Sequence, residues 1–231
     1  MLQALLKEHG TRAHMGFLRL AVNDSLTYDQ ATRTGGPVGA MRVEKALDYE
    51  ANAGLRDVVQ WLMAIKEKRP TLSASDIIHL AGIEAAVAGG VVGAAFVPGR
   101  RESRVVPPQQ RMLGYSAVVR EGVPDSAKVV AAAKRCGLPV ALMVALLGSH
   151  PFAAAWKDPQ AYETAAKDDK GPMPIDNGFF RALLRGEQGT EHCAFLLTDP
   201  GAARHCAPLC PALALFGRSE PWDVDCPDIC P

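Results

Sequence analysis

The sequence lacks a net charge, because its 231 residues contain 25 Lys and Arg residues and 25 Asp and Glu residues. A neutral composition provides no basic surface that would attract a nucleic acid, so we expect no nucleic-acid partner. Such a chain also has little charge repulsion to oppose its association, which leaves room for a protein partner. The hydrophobic fraction of 48% and the charged fraction of 22% are those of an ordinary globular protein.

The sequence also lacks a convincing membrane span. The longest apolar run, Ile77 to Val97, is interrupted by His79, Glu84 and several glycines, whereas a spanning helix needs about 20 mostly apolar residues. Met1 to Arg12 has no apolar core of the kind found in signal peptides. We therefore expect no secretory leader in this sequence, and a protein that is peripheral to a membrane rather than inserted in it.

Strand signals are few and short, and no internal repeat is visible, so the fold is predicted to be mainly α with long irregular connections. Apolar residues between Leu55 and Met63 recur at the spacing of an amphipathic helix, and Pro70 ends this helix. Ser73 with Asp76 resembles a capping box for a further helix. The Gly89–Gly90 pair is predicted to end that second helix.

The next part of the chain differs in its composition and has no helical period. Val91 to Val123 is rich in Gly, Pro and Arg without a sustained period, which predicts a long ordered loop. A helix is then predicted from Pro124–Asp125 to Gly137, where glycine suits the position after a helix end. Pro139 begins another helix through Leu147. Its sequence PVALMVALL is apolar on all sides, so we expect it to be central and buried.

Several short stretches, in the same order, resemble ascorbate peroxidase and its class I haem peroxidase relatives. The stretches are LRLAVNDSLTYD from Leu18, TRTGGPVGAMRVE from Thr32, EANAGL from Glu50, LSASDIIHLAG from Leu72, FVPGR from Phe96, VALLGSHPF from Val144, PIDNGFF from Pro174 and LLTDP from Leu196. The resemblance implies a haem-peroxidase-like helical fold over residues 1–217, with a distal half of about 1–123 and a proximal half of about 124–217. Residues 218–231 would follow as a Cys- and Pro-rich tail.

On the distal side, the resemblance places the family's Arg, Trp and His at Arg19, Val22 and Asn23. The family's His takes a proton from bound peroxide and returns it, which requires a base that titrates near neutral pH. An amide can only hydrogen-bond, and acid–base groups are worth roughly 10²–10⁴-fold in rate, so Asn23 predicts a large loss of activity. Asn52 matches the Asn that holds the distal His. Outside a haem site, Arg19 would be held by a buried carboxylate and Asn52 would cap a helix.

On the proximal side, His150 matches the family's axial haem ligand. In the family its other ring nitrogen donates to an Asp, which makes the imidazole more basic. That Asp position is occupied here by Cys193, whose thiol is a poor acceptor. Met173 stands for the proximal Trp, and Pro151 and Pro174 stand for residues of a cation site. His150 is thus either a haem ligand or a hydrogen-bonded core histidine.

The cysteines are unevenly placed, with Cys136 alone in the middle of the chain. The remaining five are Cys193, Cys206, Cys210, Cys226 and Cys230. Disulfides are favoured over a zinc site, because the surrounding prolines do not suit a zinc knuckle and an extended tail with little core gains from cross-links. Free thiols are the third alternative, and the spacing does not determine the connectivity. Disulfides would imply an oxidising compartment.

Arg19, Asn23, Asn52, His150 and Cys193 together form what we call the vestigial pocket, a site with no residue expected to be catalytic. With no cofactor and no metal expected, the resemblance implies a non-catalytic accessory or structural subunit of a larger assembly. A plastid photosynthetic membrane complex is the first candidate, because the family includes a haem-lacking branch of the thylakoid lumen; the mitochondrion is the alternative location. The alternative function is a haem-binding peroxidase or haem sensor with His150 as axial ligand.

Overall fold

The computed structural model describes residues 1–112, 119–120, 123–124 and 126–147. Helices dominate this part of the chain, as the sequence predicts. They are α1 Leu2–Ser25, α2 Glu44–Leu47, α3 Arg56–Lys68, α4 Ala74–Ala88, α5 Ser126–Cys136 and α6 Val140–Leu147. Single 3₁₀ turns lie at Ala40–Arg42, Glu50–Asn52 and Gln109–Arg111. The two-residue strands β1, Val119–Arg120, and β2, Val123–Pro124, pair antiparallel.

The core is organised around the contact between α1 and α4. Helix α1 is broken at Gly10, where the backbone leaves helical geometry (φ 49°, ψ −132°). Its second half lies close against α4 at Gly82, because a Cβ there would be only 2.6 Å from the Cβ of Ala21. The largest fully buried side chains are Met15, Phe17, Leu20, Met41, Leu55, Val58, Leu62, Ile77, Ile78 and Met143. Apolar burial of this kind is the main force that holds helices together.

The predicted helices α3 and α4 are confirmed, together with their boundaries. Helix α3 ends at Lys68, two residues before Pro70. Helix α4 begins after Ser73, whose hydroxyl accepts a hydrogen bond from the Asp76 amide at 2.9 Å. The helix ends at Gly89. The local sequence pattern is sufficient to predict these helix boundaries, because caps and helix breakers act within one turn.

The segment predicted as a loop contains slightly more structure than expected. Residues 91–108 have no helix or strand, but a 3₁₀ turn follows at Gln109–Arg111 and the β1–β2 pair occupies its last described positions. Asp76 anchors the loop to the start of α4, since its carboxylate accepts from the amides of Gly99 at 2.8 Å and Arg100 at 3.1 Å. The loop is therefore held by hydrogen bonds rather than by secondary structure.

The last two described helices agree with the prediction in position but not entirely in burial. Gly137 follows α5 with a φ of +69°, and the Leu138 amide donates to Ala133 at 2.9 Å, as in a helix that ends on a glycine. In α6, Met143 is fully buried whereas Leu142 is 42% exposed. The expectation that this helix is buried on all sides is wrong at Leu142, because that side chain does not face the packed core.

Candidate functional site

Arg19 and Asn23 lie one helical turn apart in α1 and are almost completely buried, at 4% and 3% exposure. Both side chains reach the segment around the 3₁₀ turn Glu50–Asn52. The Arg19 guanidinium donates to the carbonyl of Ala51 at 2.7 Å and to that of Ala53 at 2.9 Å. These bonds connect α1 to the chain segment that precedes α3.

Asn23 and Asn52 are directly hydrogen-bonded to each other. The Asn23 amide nitrogen donates to Asn52 Oδ1 at 2.9 Å and to the Ala51 carbonyl at 2.9 Å. The amide nitrogen of Asn52, which is fully buried, donates in turn to the Ala46 carbonyl at 2.7 Å and lies 3.3 Å from the sulfur of Met41. Both hydrogens of each amide group are therefore directed at protein acceptors.

The structure brings Arg19, Asn23 and Asn52 together, as the motif comparison predicts. The other two members of the vestigial pocket, His150 and Cys193, lie outside the described residues. The alternative role for Asn52 as a cap at a helix start is wrong, since no side-chain N-cap is present at the turn that contains it or at α3. Two backbone carbonyls accept hydrogen bonds from Arg19, and the alternative of a carboxylate partner stays a prediction.

These three residues do not fit the distal chemistry of a haem peroxidase. None of them can accept and release a proton near neutral pH. The Asn23 amide acts as a donor to Asn52 and Ala51, so both of its hydrogens make structural bonds. Arg19 keeps the charge that would favour a developing anion, but two carbonyls hold its guanidinium. The arrangement can link three chain segments and supplies no proton shuttle.

A second polar cluster, which the sequence patterns did not predict, lies next to this one. Asp24 is fully buried, and its carboxylate accepts from the Gly39 amide at 2.7 Å and lies 3.1 Å from His79 Nε2. The Met41 amide is a longer donor at 3.4 Å. A histidine inside the apolar helix α4 was the only available signal, and it does not identify a partner 55 residues away.

The candidate metal and thiol chemistry has little support in the part of the chain that the structure describes. Within those residues no group of three His, Cys, Asp or Glu side chains is arranged to hold a metal ion. Cys136 is a free, buried thiol, and burial raises its pKa, so it is a poor nucleophile. The five cysteines from Cys193 to Cys230, and hence the predicted disulfides, lie outside the described residues.

None of the helices described here is long and apolar enough to cross a membrane.

Comparison of the chain with a protein-family model and with individual known proteins points to the same family. The model of the peroxidase family matches residues 1–209. The chain is 35% identical over 190 residues to the rice (Oryza sativa subsp. japonica) protein named probable L-ascorbate peroxidase 4, peroxisomal, a match that covers 80% of this chain and 60% of the relative. It is 34% identical over 187 residues to the rice (subsp. indica) L-ascorbate peroxidase 1, cytosolic, covering 81% of this chain and 71% of the relative.

An Arabidopsis thaliana relative, L-ascorbate peroxidase 2, cytosolic, is 35% identical over 171 residues, which is 74% of this chain and 64% of the relative. The chain thus spans about 60% of the length of the first rice relative. The names of these relatives refer to the cytosol or the peroxisome, and none of the three names a plastid.

Proposed function

Since the chain belongs to the peroxidase family, we propose that it is a non-catalytic member that acts as an accessory or structural subunit of a larger assembly. The relationship to ascorbate peroxidases is clear from sequence identity over most of the chain. The proposal concerns what this member does with the shared scaffold.

The observation that carries the proposal is the hydrogen bond from the Asn23 amide to Asn52 Oδ1. By resemblance, a catalytic member has a histidine at this place. Here the side chain donates both hydrogens to the protein and has no basic nitrogen. Heterolytic cleavage of peroxide needs proton transfer between its two oxygens, and loss of one acid–base group costs roughly 10²–10⁴-fold in rate.

A peroxidase assay after addition of haemin tests the proposed lack of catalytic activity. The wild-type chain and the variant Asn23→His are compared with hydrogen peroxide and ascorbate as substrates. We expect no turnover by the wild-type chain above that of free haemin, and the variant shows whether the base alone limits activity. Efficient turnover by the wild-type chain would contradict the proposal, whatever the variant does.

The accessory role is supported by apolar side chains exposed in the loop after α4. Val92 and Val97 are each 69% exposed and Val105 is 80% exposed. All three lie in the loop that Asp76 holds in place through the Gly99 amide. An ordered loop with several exposed valines offers apolar surface that a protein partner can cover.

Co-migration in native extracts tests this role. We expect the protein to elute in a particle much larger than its own mass of 24.6 kDa. The double variant Val92→Asp/Val97→Asp should shift it to the monomer position, because a charge at a buried interface must be desolvated. Val130→Asp, an exposed valine on α5, is the matched control and should stay in the particle. Elution of the wild-type protein as a free monomer would refute the accessory role.

The location is part of the proposal and is tested by organelle fractionation. We place the assembly in a plastid photosynthetic membrane complex, peripheral to the membrane. Enrichment with cytosol or peroxisomes, the locations in the names of the relatives, would overturn this assignment.

The alternative function, haem binding through His150, predicts a Soret band in the native protein that His150→Ala removes.

A further inference from the structure

The loop after α4 contains the short segment RRESR, Arg100 to Arg104, in which a serine follows two arginines and precedes a third. The segment lies within residues 91–108, which have no helix or strand. Arg101 and Arg104 are exposed. Neither belongs to the ion pairs among the residues that the structure describes, and Arg104 acts on Glu102 only at longer range. Two positive charges are therefore directed at solvent from an irregular loop.

The other charges of the segment are already bound within the protein. Glu102 accepts from the Ala74 amide at 2.7 Å and lies 3.8 Å from the Arg42 guanidinium. The bond from Ala74, with the nearby positive charge of Arg42, holds the pKa of Glu102 below its ordinary value. Arg100 is paired with Asp76 at 3.3 Å. The charge that the segment offers to another molecule is thus positive, although its sequence contains an acidic residue.

Ser103 combines a fixed backbone with a hydroxyl that is available for reaction. Its amide donates to the Val38 carbonyl at 2.8 Å, and its carbonyl accepts from Arg42 at 3.0 Å. The hydroxyl oxygen accepts from the Val105 amide at 3.0 Å, which leaves one lone pair unused. The hydroxyl hydrogen has no acceptor among the described residues. An enzyme that approaches from solvent therefore meets a nucleophilic oxygen between arginines.

We propose that Ser103 is a phosphorylation site for a protein kinase with an acidic substrate groove, which recognises Arg101, and that the phosphate regulates docking through this loop. Kinases and their substrates are matched by patterns of charge. Ser103 Oγ bonds to the γ-phosphorus of ATP, the bond from that phosphorus to ADP breaks, and the hydroxyl proton passes to the catalytic base of the kinase. The effect on docking rests on the proposed accessory function, whereas the acceptor site does not.

A phosphate at Ser103 would lie beside the apolar surface of the same loop. The Val105 amide contacts the hydroxyl oxygen that would carry the phosphate, and Val105 is 80% exposed. The phosphate adds a charge of about −1.5 to −2 at neutral pH, which offsets the charges of Arg101 and Arg104. A partner that covers Val105 would then have to desolvate this anion. Phosphorylation should therefore release the protein from its assembly.

Phosphorylation of the full chain in vitro tests the acceptor site. The purified protein is incubated with Mg-ATP and the catalytic subunit of cyclic-AMP-dependent protein kinase, which selects arginines before the acceptor, and its peptides are mapped by mass spectrometry. We expect phosphate on Ser103, none at this position in Ser103→Ala, and phosphate again in Ser103→Thr, which keeps a hydroxyl. Absence of phosphate on Ser103 in the wild-type chain would overturn the proposal.

Two arginine variants test the recognition. Arg101→Gln should slow phosphorylation of Ser103 by about tenfold or more, since hydrogen bonds to a charged group contribute about 1.5–3 kcal/mol. Arg69→Gln, at the exposed residue after α3, is the matched control and should react as the wild type does. Equal rates for the two variants would refute the role of Arg101.

Gel filtration of the native particle tests the effect on docking. After treatment with the kinase and ATP, the wild-type protein should move to the monomer position, whereas Ser103→Ala should stay in the particle. Phosphorylated wild-type protein that remains in the particle would overturn the regulation. A wild-type protein that is monomeric before treatment would refute the accessory role, and with it the effect on docking, while the peptide map would still decide the acceptor site.

Discussion

The Asp24 carboxylate and His79 Nε2 lie 3.1 Å apart in the interior, and together they join α1 to α4. Asp24 has no exposed surface, and it also accepts the Gly39 amide at 2.7 Å. The pair therefore holds the glycine-rich connection after α1 against the centre of α4. Removal of either partner leaves a buried polar group without its full set of hydrogen bonds, which is costly.

Asp24→Asn should reduce the free energy of unfolding by about 1.5–3 kcal/mol, the range for hydrogen bonds to a charged group. The amide loses one acceptor site and the negative charge that His79 and Gly39 contact. Urea denaturation measures the change. Asp48→Asn is the matched control, because Asp48 pairs with Arg56 at the surface, and it should cost less than about 1 kcal/mol. Equal costs would show that burial of Asp24 is unimportant.

Ser73→Ala should cost about 1 kcal/mol, because the hydroxyl accepts the Asp76 amide at 2.9 Å and caps α4. The measurement is the urea midpoint at constant slope. Thr71→Ala, at an exposed position just before the helix, should change the midpoint by only a few tenths of this amount. A larger loss for Thr71→Ala than for Ser73→Ala would contradict the assignment of the cap.

Gly35→Ala should destabilise the protein by more than about 1 kcal/mol. The glycine has a φ of +74°, and a Cβ there would clash with the Thr27 carbonyl oxygen. Gly93→Ala is the matched control, since its φ of +77° is similar but nothing lies within 4 Å of an added Cβ. Both variants bear the backbone strain and only the first bears the clash, so thermal melting should separate them.

Acid should weaken the fold through His14. Burial lowers its pKa below the ordinary value of 6.5, and a hydrogen bond with the Ala85 backbone opposes this only in part. The unfolded chain therefore binds a proton at a higher pH than the folded chain, and stability falls as the pH drops below about 6.5. Urea midpoints at about pH 7.5 and about pH 5 measure the loss, which should be smaller in His14→Leu. An unchanged pH dependence in that variant would assign the effect to other groups.

Much of the helical architecture can be predicted from the sequence because its determinants are local. Pro70, Ser73 and Gly137 act on the turn in which they stand, by removing a donor, accepting an orphan amide or adopting a positive φ. The order of short motifs also predicts the family and the meeting of Asn23 with Asn52. The burial of α6 was predicted less well, because an apolar sequence does not specify which of its faces finds a neighbour.

The contacts between distant segments are determined only by the tertiary structure. Asn23 is unable to act as a base whatever surrounds it, and this follows from its chemistry alone. Its role as a donor to Ala51 and Asn52 depends on the position of the 50–52 turn. The Asp24–His79 bond likewise depends on how α4 packs against α1. No period or spacing encodes such pairs, because packing, and not sequence separation, brings them within hydrogen-bond distance.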